Sequence, residues 1–238
     1  MSPRRIGIHQ PNYWPWVGYW RKMAQSDVFV LFDDVQLPQG KSFVTRTRIK
    51  TANGESWLTV PVEHKGALSP IADVIIASGS PWERKHWRTI EGAYRKAPHF
   101  DEHAARVGAL FDRKWERLID LNVACIEVAR DLLGIRAELV TSSSLGIAST
   151  GTDRIVDIVA ALDGDIYVTG TGAGSARYMD EQAFADRGIL VEPVTFEHPV
   201  YPQPWGDFVA NLSVLDFLFN CGKDGWDRWM LADHGAAG

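Results

Sequence analysis

Residues 5 to 33 constrain the fold more than any other stretch, because they spell out strand, loop, helix and strand within the length of one βαβ unit. Arg5-Ile6-Gly7-Ile8-His9 is a short apolar run that ends in polar residues. Pro11 to Trp16 is a proline-rich loop, and Tyr19 to Gln25 reads as a helix. Between Asp27 and Asp33 lies Val28-Phe29-Val30-Leu31-Phe32, a β-branched and aromatic run that suits a strand buried on both faces. Such units are right-handed with parallel strands, so the pattern predicts a parallel sheet covered by helices.

The same alternation returns later. Ala137 to Thr141 and Asp165 to Thr169 read as strands, with a helix from Thr152 to Leu162 between them; a helix over 180–187 and a strand over 189–196 follow. Between the two α/β stretches, residues 43 to 62 predict a hairpin around Asn53-Gly54. Helices are expected over 82–97 and over 101–133, the second stopped by Gly134, and a C-terminal helix follows Asn211 and Ser213. The expected fold class is α/β, a mostly parallel sheet with flanking helices and an inserted β-hairpin. With no repeat and no linker rich in Pro, Gly or Ser, residues 1–238 are read as a single domain.

A net charge of −5 argues against broad nucleic-acid binding, which relies on clustered cations. The N-terminal apolar run is too short for an export signal, and no stretch approaches the ~20 apolar residues of a membrane span; a cytoplasmic location is expected. Cys125 and Cys221 lie far apart in apolar surroundings, as buried reduced thiols do. The ten tryptophans suit core packing, or several of them line a cleft. Trp226 and Trp229 suit either a homodimer contact or packing of the chain's tail.

Candidate chemistry gathers at strand ends. His9, Gln10, Asn12, Tyr13 and Trp16 follow the first strand, where open α/β sheets take ligands; a rigid turn with a satisfied histidine is the plainer alternative. Asp33, Asp34 and Gln36 follow the next strand. Adjacent side chains on a strand point to opposite faces, so at most one aspartate faces a given cleft, as a general base or as a cap. No metal is expected, since no histidine stands at ligand spacing from them, and the cofactor is left undetermined. Arg46, Arg48 and Lys50 share one face of the hairpin and suit phosphate or carboxylate; a solvated face is the other reading.

Ser142, Ser143 and Ser144 follow one later strand, and Gly170, Thr171, Gly172, Ala173 and Gly174 another; hydroxyls and open backbone both suit phosphate. His198 and Tyr201 are placed at the end of the last strand, where His198 is a partner for His9. If the strands are parallel, the His9, Ser142 and Gly170 loops open on one edge of the sheet. The catalytic candidates are His9, His198 and Asp33. The substrate-binding candidates are Gln10, Asn12, Tyr13, Trp16, Gln36, Arg46, Arg48, Ser143, Ser144, Gly170, Thr171, Gly172 and Tyr201.

The strings Ile8-His9-Gln10-Pro11-Asn12-Tyr13, Pro15-Trp16, Gly18-Tyr19, Asp33-Asp34-Val35-Gln36, Trp57 to Val62, Lys85-His86-Trp87, Gly170-Thr171-Gly172 and His198-Pro199-Val200-Tyr201 resemble the WbqC-like family over nearly the whole chain. The resemblance implies an enzyme encoded with O-antigen, other surface-glycan or specialised-metabolite pathways. The expectation is a transferase- or ligase-like enzyme acting on a nucleotide-linked or phosphorylated small molecule by acyl, aminoacyl or nucleotidyl transfer. The alternatives are a hydrolase of a related substrate and a non-catalytic sugar-nucleotide binding protein. The strand-to-helix junction also looks like that of the nucleotidyltransferase superfamily, with Trp16-Val17-Gly18-Tyr19 where that superfamily carries His-x-Gly-His. Neither ring there supplies the cation that adenylyl transfer uses.

Overall fold

The computed structural model describes residues 2–63, 69–170, 172 and 180–234. Two compact units emerge, each assembled from separated stretches of chain: Met1–Gln10, Tyr19–Val35 and Arg136–Glu197 form the first, and Pro11–Gly18, Gln36–Ile135 and His198–Gly238 the second.

The first unit is a parallel sheet. Its described residues supply five strands, β1 (Arg5–His9), β2 (Val28–Leu31), β5 (Glu138–Thr141), β6 (Ile166–Thr169) and β7 (Leu190–Pro193). They lie in the order β5-β2-β1-β6-β7, every neighbouring pair parallel. The first strand is therefore central. The chain builds outward on one side to β2 and β5, then returns to build β6 and β7 on the other, which is the plan of a doubly wound sheet.

Side-chain alternation covers both faces. Ile6, Ile8, Val28 and Val30 pack with Ile155, Val156, Ile158 and Val159 of α5 (Gly151–Ala161) and with Phe184 of α6 (Glu181–Ala185). On the opposite face Gly7 and Phe29 meet α1 (Val17–Ala24), where the Tyr19 and Phe29 rings lie 5.1 Å apart. Gly7 is required there: a Cβ would fall 2.8 Å from the Phe29 ring and 2.4 Å from Ser26 Oγ.

The second unit holds the hairpin β3 (Arg46–Thr51) and β4 (Gly54–Thr59), paired antiparallel, with Gly54 at φ +93°. Around it stand α2 (Trp82–Tyr94), α3 (Phe100–Gly108), α4 (Leu118–Leu133) and α7 (Val214–His234), which kinks at Gly222. The continuous helix expected over 101–133 is in fact two. Arg117 is extended and bridges to Ile75, and Trp115 Nε1 donates to the Leu110 carbonyl, so the apolar periodicity runs across a turn. Gly134 closes α4 in the left-handed conformation, as its position after the last apolar residue predicts. Cys125 is buried and Cys221 only partly so, and both are free thiols.

Candidate functional site

In the first unit the reversal of strand order falls between β1 and β6, so the crevice at their carboxyl ends is the position where doubly wound sheets bind ligands. His9 ends β1, and Gly170 follows β6 directly. The partly buried His9 ring packs edge-on against Tyr19, with centroids 4.8 Å apart, and its Nδ1 is 3.1 Å from the Gln10 carbonyl. A carbonyl accepts, so Nδ1 carries the proton and Nε2 presents a lone pair. Desolvation and the nearby Lys22 lower the pKa of His9 to about 4, so its imidazole is neutral at physiological pH.

Lys22 is one residue that sequence reasoning missed. The short α1 is buried around Lys22, which is 4 % exposed; Nζ donates to the Ile8 carbonyl at 2.6 Å and stands 5.6 Å from the centre of the Tyr167 ring. Burial lowers its pKa to about 7. An amine that is half-protonated near neutrality is thus bonded to the backbone of β1 and lies near the Tyr167 ring of β6. Its signal in the sequence was the company it keeps, Tyr19 and Trp20 before it and Met23 and Ala24 after it, which leaves a cation little room to reach water.

Beside β1, the end of β2 is tied to the end of β5. The Asp33 carboxylate accepts from Ser143 N–H at 2.9 Å and from Ser143 Oγ at 2.7 Å, while Asp33 N–H donates to Ser142 Oγ at 3.1 Å. Ser142 Oγ donates to Asp34 at 2.5 Å, and Asp34 pairs with Arg154 of α5. Asp33 is 3 % exposed, and its carboxylate oxygens accept from Ser142 and Ser143. Ser144 Oγ donates back to the Thr141 carbonyl at 2.7 Å. Gly172 is exposed, with open space where a Cβ would stand; Thr171, Ala173 and Gly174 lie outside the described residues.

The remaining candidates belong to the second unit, and most are engaged in its interior. Asn12 and Tyr13 are buried, Tyr13 bonding through its hydroxyl to His86 Nδ1 at 3.0 Å. Asn122, missed from the sequence, donates from Nδ2 to the Pro11 and Val44 carbonyls, each at 2.8 Å. Thr47 and Ser213 hydroxyls both donate to the Trp14 carbonyl. The loop expected to receive substrate is therefore a buried anchor from Pro11 onward. Trp16 lies over Gly18, where a Cβ would come within 2.2 Å of its ring, and Gln36 is exposed, with its backbone bridging Pro70.

Along β3 the three cations have different fates. Lys50 is capped by the Gly206 and Asp207 carbonyls, and Arg48 pairs with Glu55 at 2.5 Å. Arg46 lies 3.9 Å from the centre of the Trp57 ring and has no carboxylate partner among the described residues. His198 stands beyond β7, which stops at Pro193; its Nδ1 donates to the Pro199 carbonyl and its Nε2 accepts from Asn211 N–H at 3.0 Å. The expectation that it ends a strand is not met. Tyr201 is buried and donates to Asp216 at 2.9 Å, in a network with Tyr94 and Gln203. A cavity of about 440 Å³ opens in this unit between Leu37, Thr45, Val60, Glu63 and Asp73. Among the described residues that line it none is a candidate, and the ionisable ones, Glu63 and Asp73, are acidic.

Fold and strand order together define a doubly wound α/β protein whose strand order reverses between β1 and β6. The profile of the WbqC-like protein family matches residues 10–228, and the chain belongs to that family. It is also similar to the uncharacterized protein Rv1507c of Mycobacterium tuberculosis (strain ATCC 25618 / H37Rv), with 33% identity over 226 residues, covering 94% of this chain and 96% of that one. No solved structure matches it. No helix among the described residues is long and apolar enough to cross a membrane.

Proposed function

We propose that the chain is a biosynthetic enzyme of the transferase or ligase type, which binds a nucleotide-linked or phosphorylated small molecule at the carboxyl rim of its parallel sheet. One observation carries this reading: the strand order reverses between β1 and β6, with His9 and Gly170 at the two strand ends and Lys22 buried behind them. Phosphate suits such a crevice because bare backbone approaches it closely and a cation stands near.

Lys22 supplies the charge that a neutral His9 does not. His9 Nε2 is the general base or hydrogen-bond acceptor for the attacking or leaving group, and an arriving anion raises its pKa toward the working range. Gln10 and Gly170 position the ligand, and Asp33 holds the β2 and β5 ends in register through Ser143. Acyl or aminoacyl transfer and nucleotidyl transfer both use this set.

A second reading, a non-catalytic sugar-nucleotide binding protein, draws support from the depressed pKa of His9, which makes it a weak base in the free protein. A thermal-melt panel of nucleoside diphosphate sugars, nucleoside triphosphates and acyl-CoA tests for the ligand. One class raises the melting temperature dose-dependently, by several degrees, since ligand at a hundred times its Kd adds about 2.7 kcal/mol. The Lys22→Met variant loses that rise. No shift with any class at millimolar concentration overturns the proposal.

A further inference from the structure

At the start of α3 the sequence His99-Phe100-Asp101-Glu102-His103 places two imidazoles and a carboxylate on adjoining turns. The ligand-capable atoms of His99, Glu102 and His103 all lie within 4.8 Å of one another. His99 Nδ1 is 3.0 Å from Glu102 Oε2, and the two imidazole rings stack with an interplanar angle of 15°. A histidine beside a glutamate at a helix start is common enough as a surface ion pair.

His103 is what that plain explanation leaves over. Its side chain is 2 % exposed, yet neither ring nitrogen has a hydrogen-bond partner; Nε2 stands 3.9 Å from Glu102 Oε2, beyond bonding distance. Buried polar atoms are nearly always satisfied, and the exceptions call for an ion or a strained function.

The backbone makes room for the cluster from the other side. His99 N–H donates to the Phe219 carbonyl at 3.0 Å, and the kink residue Gly222 lies against the His99 ring, where a Cβ would come within 2.6 Å of Nδ1. Gly222 sits at φ 60°, ψ −167°, a conformation that a side chain resists. The kink in α7 and the position of His99 are thus one feature.

We propose that His99, Glu102 and His103 form a divalent-metal site, selective for zinc, with two imidazole nitrogens and one carboxylate oxygen as ligands and a fourth position open to water. Borderline-soft nitrogen with a single carboxylate suits zinc better than magnesium or calcium, which take all-oxygen shells. Glu102 and His99 reach solvent, so the open position faces outward.

Zinc titration of chelator-treated full-length protein, followed by calorimetry and by metal analysis after gel filtration, tests the assignment. The expected result is about one zinc retained per chain, a melting temperature raised by zinc and not by magnesium, and affinity weakened at least about tenfold in both His99→Ala and Glu102→Gln. These two residues are exposed enough to be replaced without unfolding the chain, which circular dichroism checks. Cobalt substitution adds a second readout, the visible absorption of a tetrahedral site, lost in both variants. No saturable zinc uptake, or uptake unchanged in His99→Ala and Glu102→Gln, overturns the proposal.

Discussion

Lys22 donates its Nζ to the carbonyl oxygen of Ile8 at 2.6 Å, so the ammonium of a buried lysine is fixed to the central strand immediately before His9. Its pKa falls from 10.5 to about 7 on folding. The unfolded chain therefore binds the proton more tightly between those values, and stability owed to this group rises with pH across that window. Lys22→Met removes the titration. Measured by urea unfolding, wild type gains about 4 kcal/mol of stability relative to the variant from pH 7 to 10.5. Parallel curves for the two proteins contradict the burial of Lys22.

Acid acts through two other groups. His9 and His86 both have pKa values of about 4, below the ordinary 6.5, because burial disfavours their charged forms. The unfolded chain takes up these protons first as pH falls below 6.5, so stability drops from there toward pH 4, by about 3 kcal/mol for His86 over the full window. Urea midpoints between pH 7 and pH 5 decline steeply in wild type and more gently in His86→Gln. An identical slope in the variant removes His86 from the account.

Asp33 separates a clamp from a base. Replacement by Ala removes both acceptors of Ser143, at a cost of about 3 kcal/mol. Asp33→Asn keeps one acceptor for Ser143 N–H and offers an N–H₂ group to a hydroxyl that rotates to accept it, so most of that stability returns. Equilibrium unfolding of the two variants gives the comparison. A stable Asp33→Asn protein whose turnover has fallen about a hundredfold identifies a general base instead.

Asn122 holds the loop that follows β1. Asn122→Ala leaves the Pro11 and Val44 carbonyls without their donor and costs about 2–4 kcal/mol, read from the unfolding midpoint. A neutral substitution shows that the loop is held by other contacts.

The strands of the parallel sheet were legible because Val28 to Leu31 and Ile166 to Thr169 are buried throughout, and continuous apolar runs of that length have few other uses. The hairpin was legible from Asn53-Gly54 for an equally local reason. Residues 11 to 16 were not. Their prolines and aromatics resemble an exposed ligand loop, and only donors far away in the chain, Thr47, Asn122 and Ser213, show that the backbone is satisfied in an interior. His9 could be placed at a strand end from its neighbours alone, whereas the neutral state of its ring depends on Lys22 and on burial. The row of Arg46, Arg48 and Lys50 was correctly placed on one strand face, but what occupies each cation is set by residues 203 to 211 and by Trp57, which spacing along the strand does not reveal.

The most direct test is a paired measurement on His9→Ala with the ligand class that stabilises the wild-type protein: its Kd by calorimetry and its conversion by single-turnover kinetics. A crevice that performs chemistry through His9 Nε2 predicts conversion slowed by about a hundredfold or more with Kd changed only a few-fold. Conversion at the wild-type rate in His9→Ala contradicts the placement of the reacting group between β1 and β6.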